Sequence, residues 1–274
     1  MSTLSAAALT LGATLSTNAS SQTMPPVPEA LKAKGVLNAG VRCDQPPYGF
    51  QDQTGAYAGV ETDMARQMAT WMFGSPDKVV FSCVTAENRI PQLTGKRVDL
   101  LIATLGVTPE RQRVIDFSTP YRWGASGVLV REDSKVQKVA ELDGQTVALP
   151  KGSVQAKWFE DNMPKVNTLR LNTAADSLQS LKQKRADAYA HDAATLVVIA
   201  ARDKSLRMLD DPYQLSDAAI GVRKGEADWR AYVDAAITRM HAEKMFRPWV
   251  EKWVPEETRP YYLEVFETQR PDRK

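Results

Sequence analysis

An α/β fold built as two similar lobes is what this sequence predicts. Three observations carry it. Short apolar runs of strand character alternate with stretches of helical periodicity, the pattern of a parallel sheet. One stretch is echoed later in the chain. Residues 92–99 and 180–187 both end a helix and enter an apolar strand through Lys-Arg-x-Asp (Lys96-Arg97-Val98-Asp99 and Lys184-Arg185-Ala186-Asp187). With 274 residues, 43% of them hydrophobic, the chain can bury one large core or two smaller ones, and the echo favours two rather than one continuous sheet.

Pro25-Pro26-Val27-Pro28 opens the folded part. A short helix over 29–34 is closed by Gly35, and 36–41 is a strand. Pro46-Pro47-Tyr48-Gly49 breaks it, and 57–60 is a short extended piece. A helix follows over 62–73, where Met64, Met68, Trp71 and Met72 recur at helical spacing as a buried face. Gly74-Ser75-Pro76 ends it. Then come a strand over 79–84, a helix beginning at 90–93, and a strand over 98–103. The second half repeats the plan. It has a strand over 146–149, a helix opened by Gly152-Ser153, a strand over 168–171, a helix over 174–184 with Leu178 and Leu181 inward, and a strand over 186–190. The stretch 228–253 reads as helix rich in aromatics, broken or restarted at Pro248. The last dozen residues read as frayed.

Charge excludes some functions. Thirty-five basic residues face thirty-three acidic ones, for a net +2, with no long run of either sign. No basic stripe for nucleic acid is visible. No run of about 20 apolar residues interrupts the body of the chain. Residues 1–23 carry no charge, and an apolar run from Leu4 to Leu15 precedes a small-residue stretch with Thr17-Asn18-Ala19. This is the apolar and cleavage part of a secretory signal, without its usual positive start. Cys43 and Cys83 are either two buried thiols or, in an oxidising compartment, one disulfide. With His191 and His241 they have no zinc-ligand spacing, so no metal is expected.

Several motifs then fall in one order. They include Gly40-Val41-Arg42-Cys43-Asp44-Gln45-Pro46-Pro47-Tyr48-Gly49-Phe50, Gly59-Val60-Glu61-Thr62-Asp63, and Val98-Asp99-Leu100-Leu101-Ile102-Ala103-Thr104. Thr108-Pro109-Glu110-Arg111 and Asp116-Phe117-Ser118-Thr119-Pro120-Tyr121 follow, and later Lys151-Gly152-Ser153 and Ile220-Gly221-Val222-Arg223-Lys224-Gly225. Over roughly 29–254 the chain resembles the periplasmic amino-acid-binding proteins that serve ATP-driven importers, family 3 of the extracellular solute-binding proteins. The resemblance implies a type II periplasmic-binding-protein fold, two α/β lobes joined by two crossover strands near 124–132 and 210–219. One lobe would be 27–126 with 217–260, the other 127–216. It further implies a periplasmic monomer without cofactor that takes an amino acid into the cleft and hands it to a membrane permease.

A buried amino acid needs partners for its carboxylate and its ammonium. By the resemblance, Arg111 forks onto the carboxylate, the geometry a guanidinium suits. Ser153 and the backbone of Val154 offer N–H groups at a helix start, and Ser153 is equally an N-cap. Asp192 would hold the ammonium, or simply cap the next helix. His191 would line the cleft or cap that helix. Arg42 and Arg89 stand where the glutamate- and aspartate-binding branch carries basic residues. With Arg111 they leave two positive charges over after Asp192. Ala103 and Thr104 are further ligand positions, and Tyr48 would cover the guest. An acidic amino acid is therefore expected, with a neutral polar one as alternative. Arg42 and Arg89 pairing with Glu61, Glu87 or Asp44 is the other reading of the same residues. Gly106 and Val154 depart from threonines usual in the family, and Lys184 from a turn glycine. Some proteins of this fold are cyclohexadienyl dehydratases. Their acid would fall at Thr195, which cannot donate as a carboxylic acid does, so an enzyme is not expected.

Overall fold

The computed structural model describes residues 24–273. The signal-like segment over 1–23 lies outside the described residues. Helix α1 (Glu29–Lys34), closed by Gly35 in the left-handed conformation, leads into strand β1 (Leu37–Val41). Three short strands, β2 (Asp44–Gln45), β3 (Gly49–Gln51) and β4 (Tyr57–Ala58), form a small antiparallel sheet. Then follow α2 (Val60–Phe73), β5 (Val79–Cys83), α3 (Arg89–Thr94), β6 (Leu100–Ile102) and α4 (Pro109–Gln112). The long β7 (Ile115–Arg131) crosses to the second half: β8 (Thr146–Pro150), α5 (Val154–Asn162), β9 (Asn167–Leu171), α6 (Ala174–Lys182), β10 (Ala188–Asp192), α7 (Ala193–Arg202) and β11 (Leu206–Met208). β12 (Tyr213–Arg223) crosses back, and α8 (Ala227–Ala242), α9 (Phe246–Trp253) and α10 (Arg259–Glu267) finish the chain.

The two parallel groups are β5-β1-β6 and β10-β8-β9, with β12 and β7 running antiparallel between them. The expected separation into two sheets is therefore softer than predicted. A hydrogen-bonded path runs through all these strands, because the crossover strands belong to both lobes. Between β12 and β7 the register slips at three places, so the ladder is weakest where the halves join. Each half has its own apolar core: Leu37, Met64, Met68, Leu100 and Ile220 centre one, Val128, Val147, Leu149 and Phe159 the other.

The sequence echo is also a structural one. Lys96 and Lys184 both adopt left-handed backbone, φ 59° and 60°, after the last turn of a helix. Asp99 Oδ2 then accepts the Asn38 backbone N–H at 2.7 Å, and Asp187 Oδ2 accepts that of Thr146 at 2.9 Å. Each aspartate thus ties the start of a neighbouring strand to the strand it precedes. That explains the aspartate in Lys-Arg-x-Asp: an orphan strand-end donor is satisfied twice by the same device.

The C-terminus differs from expectation. Residues 259–267 are not frayed but helical, and Tyr262, Val265 and Phe266 are buried in the first core. They recur at i, i+3 and i+4, an apolar face that the flanking charges obscured. Tyr262 Oη donates to the carbonyl of Ala194 on α7, at 2.8 Å, so this helix also touches the second half. Among the described residues no helix is long and apolar enough to cross a membrane.

Cys43 and Cys83 are joined, with Cα atoms 5.4 Å apart, and the bond spans 40 residues between the ends of β1 and β5. A loop of that length predicts that replacing both cysteines by serine costs about 2–4 kcal/mol, read as a lower urea midpoint. Phe266→Ala should cost about 3–5 kcal/mol in the same assay. A loss under ~1 kcal/mol would show the C-terminal helix to be detachable.

Candidate functional site

A cavity of about 40 Å³ lies between the two halves. Its walls come from the loops after β1, β5 and β6, from the crossover strands, and from the starts of α5 and α7. Of the residues singled out in the sequence, Arg42, Arg89, Thr104, Arg111, Ser153, Val154 and Asp192 all line it. Two do not. Tyr48 is fully buried in the first core, with its ring 5.5 Å from that of Tyr262 and 6.3 Å from Phe266. It cannot cover a guest. The reason is local: the N–H groups of Val60 and Glu61 bond the carbonyls of Pro47 and Tyr48, drawing the turn onto the start of α2. Gly59 makes this possible, since a Cβ there would sit 2.2 Å from the Tyr48 carbonyl oxygen. Ala103 is likewise wholly buried, and its carbonyl serves Arg89 rather than the cavity.

Arg111 is positioned by a short capped helix. Thr108 accepts the Arg111 N–H and Pro109 fits the first helical turn. Its Nη1 donates to the Gly106 carbonyl at 2.7 Å, and its Nη2 crosses to the Gly152 carbonyl of the other half at 3.0 Å. Burial lowers its pKa to about 10, so it stays cationic at neutral pH. Ser153 caps α5 by accepting the Ala156 N–H at 3.1 Å. Gly152, at φ 71°, brings this helix start against Ala86, where a Cβ would lie 2.9 Å from the carbonyl oxygen.

Arg42 and Arg89 are less free than the sequence implied. Arg42 is paired with Asp44 through three contacts of 2.7–2.9 Å, one of the partners weighed for it. Asp44 also accepts the Ala174 N–H that opens α6, at 3.0 Å, so the pair bridges the halves. Arg89 Nη1 donates to the Ala103 carbonyl at 2.6 Å. Burial pushes its pKa well down, helped by the charges of Arg111 and Arg42. Glu61 pairs with neither. It accepts from the Tyr121 hydroxyl and from the Thr104 N–H, and burial raises its pKa. That bond holds Thr104 at φ 47°, with its hydroxyl donating to Gln45 Oε1 at 3.0 Å; Gln45 Nε2 in turn reaches Thr195 Oγ1 at 3.2 Å.

Asp192 faces a residue that sequence reasoning missed. Arg122, on β7, lies 3.0 Å from Asp192 Oδ2 and 4.3 Å above the Tyr48 ring. It follows the Asp116–Tyr121 motif directly, and nothing in its immediate sequence marked it as buried. Gly124 leaves room for the pair, since a Cβ there would meet Arg122 Nη1 at 2.8 Å. The other oxygen, Asp192 Oδ1, has no partner among the described residues. Gln45 and Gln155 were also missed, and Gln155 Nε2 donates to Ser126 Oγ at 2.9 Å.

His191 lines the same cavity. Burial, the largest influence, pulls it down to about 4; Asp192 opposes this, and Arg42 and Arg89 reinforce it. An unfolded imidazole takes a proton near 6.5, the native one only near 4. Between those values the unfolded state binds more protons, so native stability falls as pH drops. Going from pH 7 to 5 should cost about 2 kcal/mol through this group. Urea midpoints at the two pH values should show that slope, and His191→Gln should lose it; equal slopes would mean that the native imidazole is protonated.

Compared with known proteins, the chain matches the bacterial extracellular solute-binding proteins, family 3, over residues 37–256. It is 33% identical over 198 residues to a glutamine-binding protein of Geobacillus stearothermophilus, covering 72% of this chain and 76% of that one. It is similar to the crystal structure of a solute receptor for L-cysteine of Neisseria gonorrhoeae, with 31% identity, TM-score 0.80 and coverage of 89% and 96%. It is also similar to that of a cysteine-binding protein from Campylobacter jejuni, with 30% identity, TM-score 0.81 and coverage of 84% and 92%. These two share its α/β architecture, two lobes with two crossover strands between them. The chain belongs to the bacterial extracellular solute-binding proteins, family 3.

Proposed function

We propose that this protein captures a polar amino acid between its halves and delivers it to the permease of an ATP-driven importer in the periplasm. The observation that carries the reading is the placement of Arg111 and the free oxygen of Asp192 on the wall of one small cavity. An amino acid has one anionic and one cationic end, and burying either without a partner is costly. Arg111 suits the carboxylate together with the N–H groups at the start of α5, and Asp192 Oδ1 suits the ammonium. Closure of 27–126 with 217–260 onto 127–216 about the crossover strands would bring these groups together. The other half of the reading, a polar side chain, rests on the buried polar groups that share the wall, Arg42, Arg89, Gln155 and His191.

A second reading, glutamate or aspartate, is favoured by charge. Four arginines line or abut the cavity against Asp44 and Asp192, which leaves a cationic surplus. Against it, Arg42 already gives Nε and Nη2 to Asp44, and the relatives named above carry the names of glutamine and cysteine binders. Catalysis is not part of the proposal. Thr195 stands where the dehydratase reading needs a carboxylic acid, and its hydroxyl accepts from Gln45.

A thermal-shift screen of the twenty amino acids should give one small group of stabilising ligands, since a ligand that binds only the native state raises its melting point. Arg111→Ala should weaken every one of them about 100-fold or more in calorimetry, because a buried carboxylate loses its bidentate partner. Affinities within about threefold of wild type would remove Arg111 from the site.

A further inference from the structure

Asp44 stands beside the cavity without lining it, flanked in sequence by two residues that do, Arg42 and Gln45. Most of its attachments lie within the first half. Arg42 gives Nε and Nη2 to its carboxylate at 2.7–2.9 Å. Its backbone is opposite Phe50 in the small antiparallel sheet. Cys43, just before it, is bonded to Cys83 at the end of β5. The remaining contact leaves that half. Asp44 Oδ2 accepts the N–H of Ala174, the first residue of α6, at 3.0 Å. A helix leaves its first N–H groups without intrahelical partners, and its N-terminus favours a carboxylate. Thr173 caps α6 by taking the Asp176 N–H at 2.9 Å, while the Ala174 N–H goes to Asp44.

We propose that Asp44 is a positioning residue for capture: it latches the closed cleft by completing the cap of α6 from the opposite half, and so tightens the hold on every guest without touching one. The proposal rests on the amino-acid reading of the site and extends it from the guest to the closure. Donor and acceptor lie on opposite halves, so the bond forms only when the halves are together. Whatever favours that state adds to the apparent affinity of any guest that needs it. Asp44 is held for this task by Arg42, by the neighbouring disulfide and by the pairing of β2 with β3, so little freedom is lost when it engages. Arg42 also answers its charge from within the first half, which lowers the cost of pressing a carboxylate against the other. Because Arg42 lines the cavity as well, the guest's wall and the latch are built on one segment.

The test removes the two ends of the bond in turn. Ala174 is the first helical position of α6, where proline fits because no intrahelical bond is lost. Thr173, at φ −123° and ψ 161°, has the extended backbone that a following proline requires. Ala174→Pro therefore removes the donor and leaves α6 able to form. Calorimetry and stopped-flow kinetics are run with those of the twenty amino acids that the wild-type protein binds. Asp44→Ala should weaken each by a similar factor, about tenfold or more. The loss should appear as faster release, with association within about twofold of wild type. In the Ala174→Pro background, Asp44→Ala should cost less than about twofold, since the N–H it served is gone. Asp44→Asn keeps an acceptor oxygen, should retain part of the affinity, and guards against an alanine variant that fails to fold with Arg42 unpaired. Unchanged affinity in Asp44→Ala and Asp44→Asn overturns the latch while leaving amino-acid capture intact. So do equal losses from Asp44→Ala in both backgrounds, or a loss confined to one class of guest. Wild-type protein that binds none of the twenty overturns the reading of the site and the latch together.

Discussion

Every guanidinium placed in a closed cavity must be given an acceptor, and this requirement shapes the cleft more than any other. Burying a cation without one costs several kcal/mol. Arg42 has a carboxylate two residues on, and Arg122 has Asp192 across the strands. Arg89 and Arg111 have only backbone carbonyls, those of Ala103, Gly106 and Gly152. The Ala103 carbonyl lies at the point where the chain leaves β6, at Thr104 in a left-handed conformation, and that of Gly152 at a left-handed residue of its own after β8. Glu61 holds that turn by accepting the Thr104 N–H. A buried glutamate thus fixes the turn whose carbonyl Arg89 meets. The small residues beside them follow from the same need, since Gly106, Gly124 and Gly152 stand where a Cβ would crowd Arg111, Arg122 or the opposite half.

Several polar contacts join the two halves. Arg111 reaches Gly152, Gln45 reaches Thr195, Asp44 caps α6 at Ala174, Arg122 pairs with Asp192, and Gln155 donates to Ser126. Each such bond contributes about 0.5–1.5 kcal/mol net, somewhat more where a charge takes part. A guest that touches both halves can bias the balance of open and closed forms, provided it binds the closed form better. Helix α10 adds a contact outside the cleft, with Tyr262 resting on α7. It packs on β7 and α9, so the first core and α7 are tied together there.

Most of the fold could be read directly, because its elements carry their own local signals. Gly35 and Gly74 close their helices in left-handed conformation, Ser153 and Thr108 cap theirs, and the methionine stripe of α2 is buried as periodicity required. The repeated Lys-Arg-x-Asp was legible as an echo, but not as a capping device, because its partner donors lie in distant strands. What failed to read were features decided by tertiary contact. Tyr48 follows two prolines in what looked like a cleft loop, yet a glycine far along the chain pulls it into the core. Phe266 and Tyr262 sit among charges and a proline, and only the aromatic rings of Tyr48, Tyr121 and Phe246 in the first core make their face valuable. Arg122 lacks a motif altogether. In the site, residue identity gave the lining but not its wiring. Nothing in Gly-Val-Arg-Cys-Asp tells that Arg42 would turn back onto Asp44 instead of forward onto a guest.

Gly106 and Val154, the two departures from the threonines usual in the family, turn out to be one adjustment. A Cβ on residue 106 would lie 3.3 Å from Val154 Cγ1 and 3.5 Å from Arg111 Nη1. Two threonines at these positions would crowd in this geometry, and the start of α5 would have to stand further off. With glycine at 106, the start of α5 stands close enough for Arg111 to span to Gly152. The hydroxyls that two threonines would bring are absent here, and the polar lining of the wall comes instead from Thr104, Gln155, His191 and the arginines. The close approach of the halves at this point therefore depends on the missing side chain of residue 106 as much as on the guanidinium that crosses it.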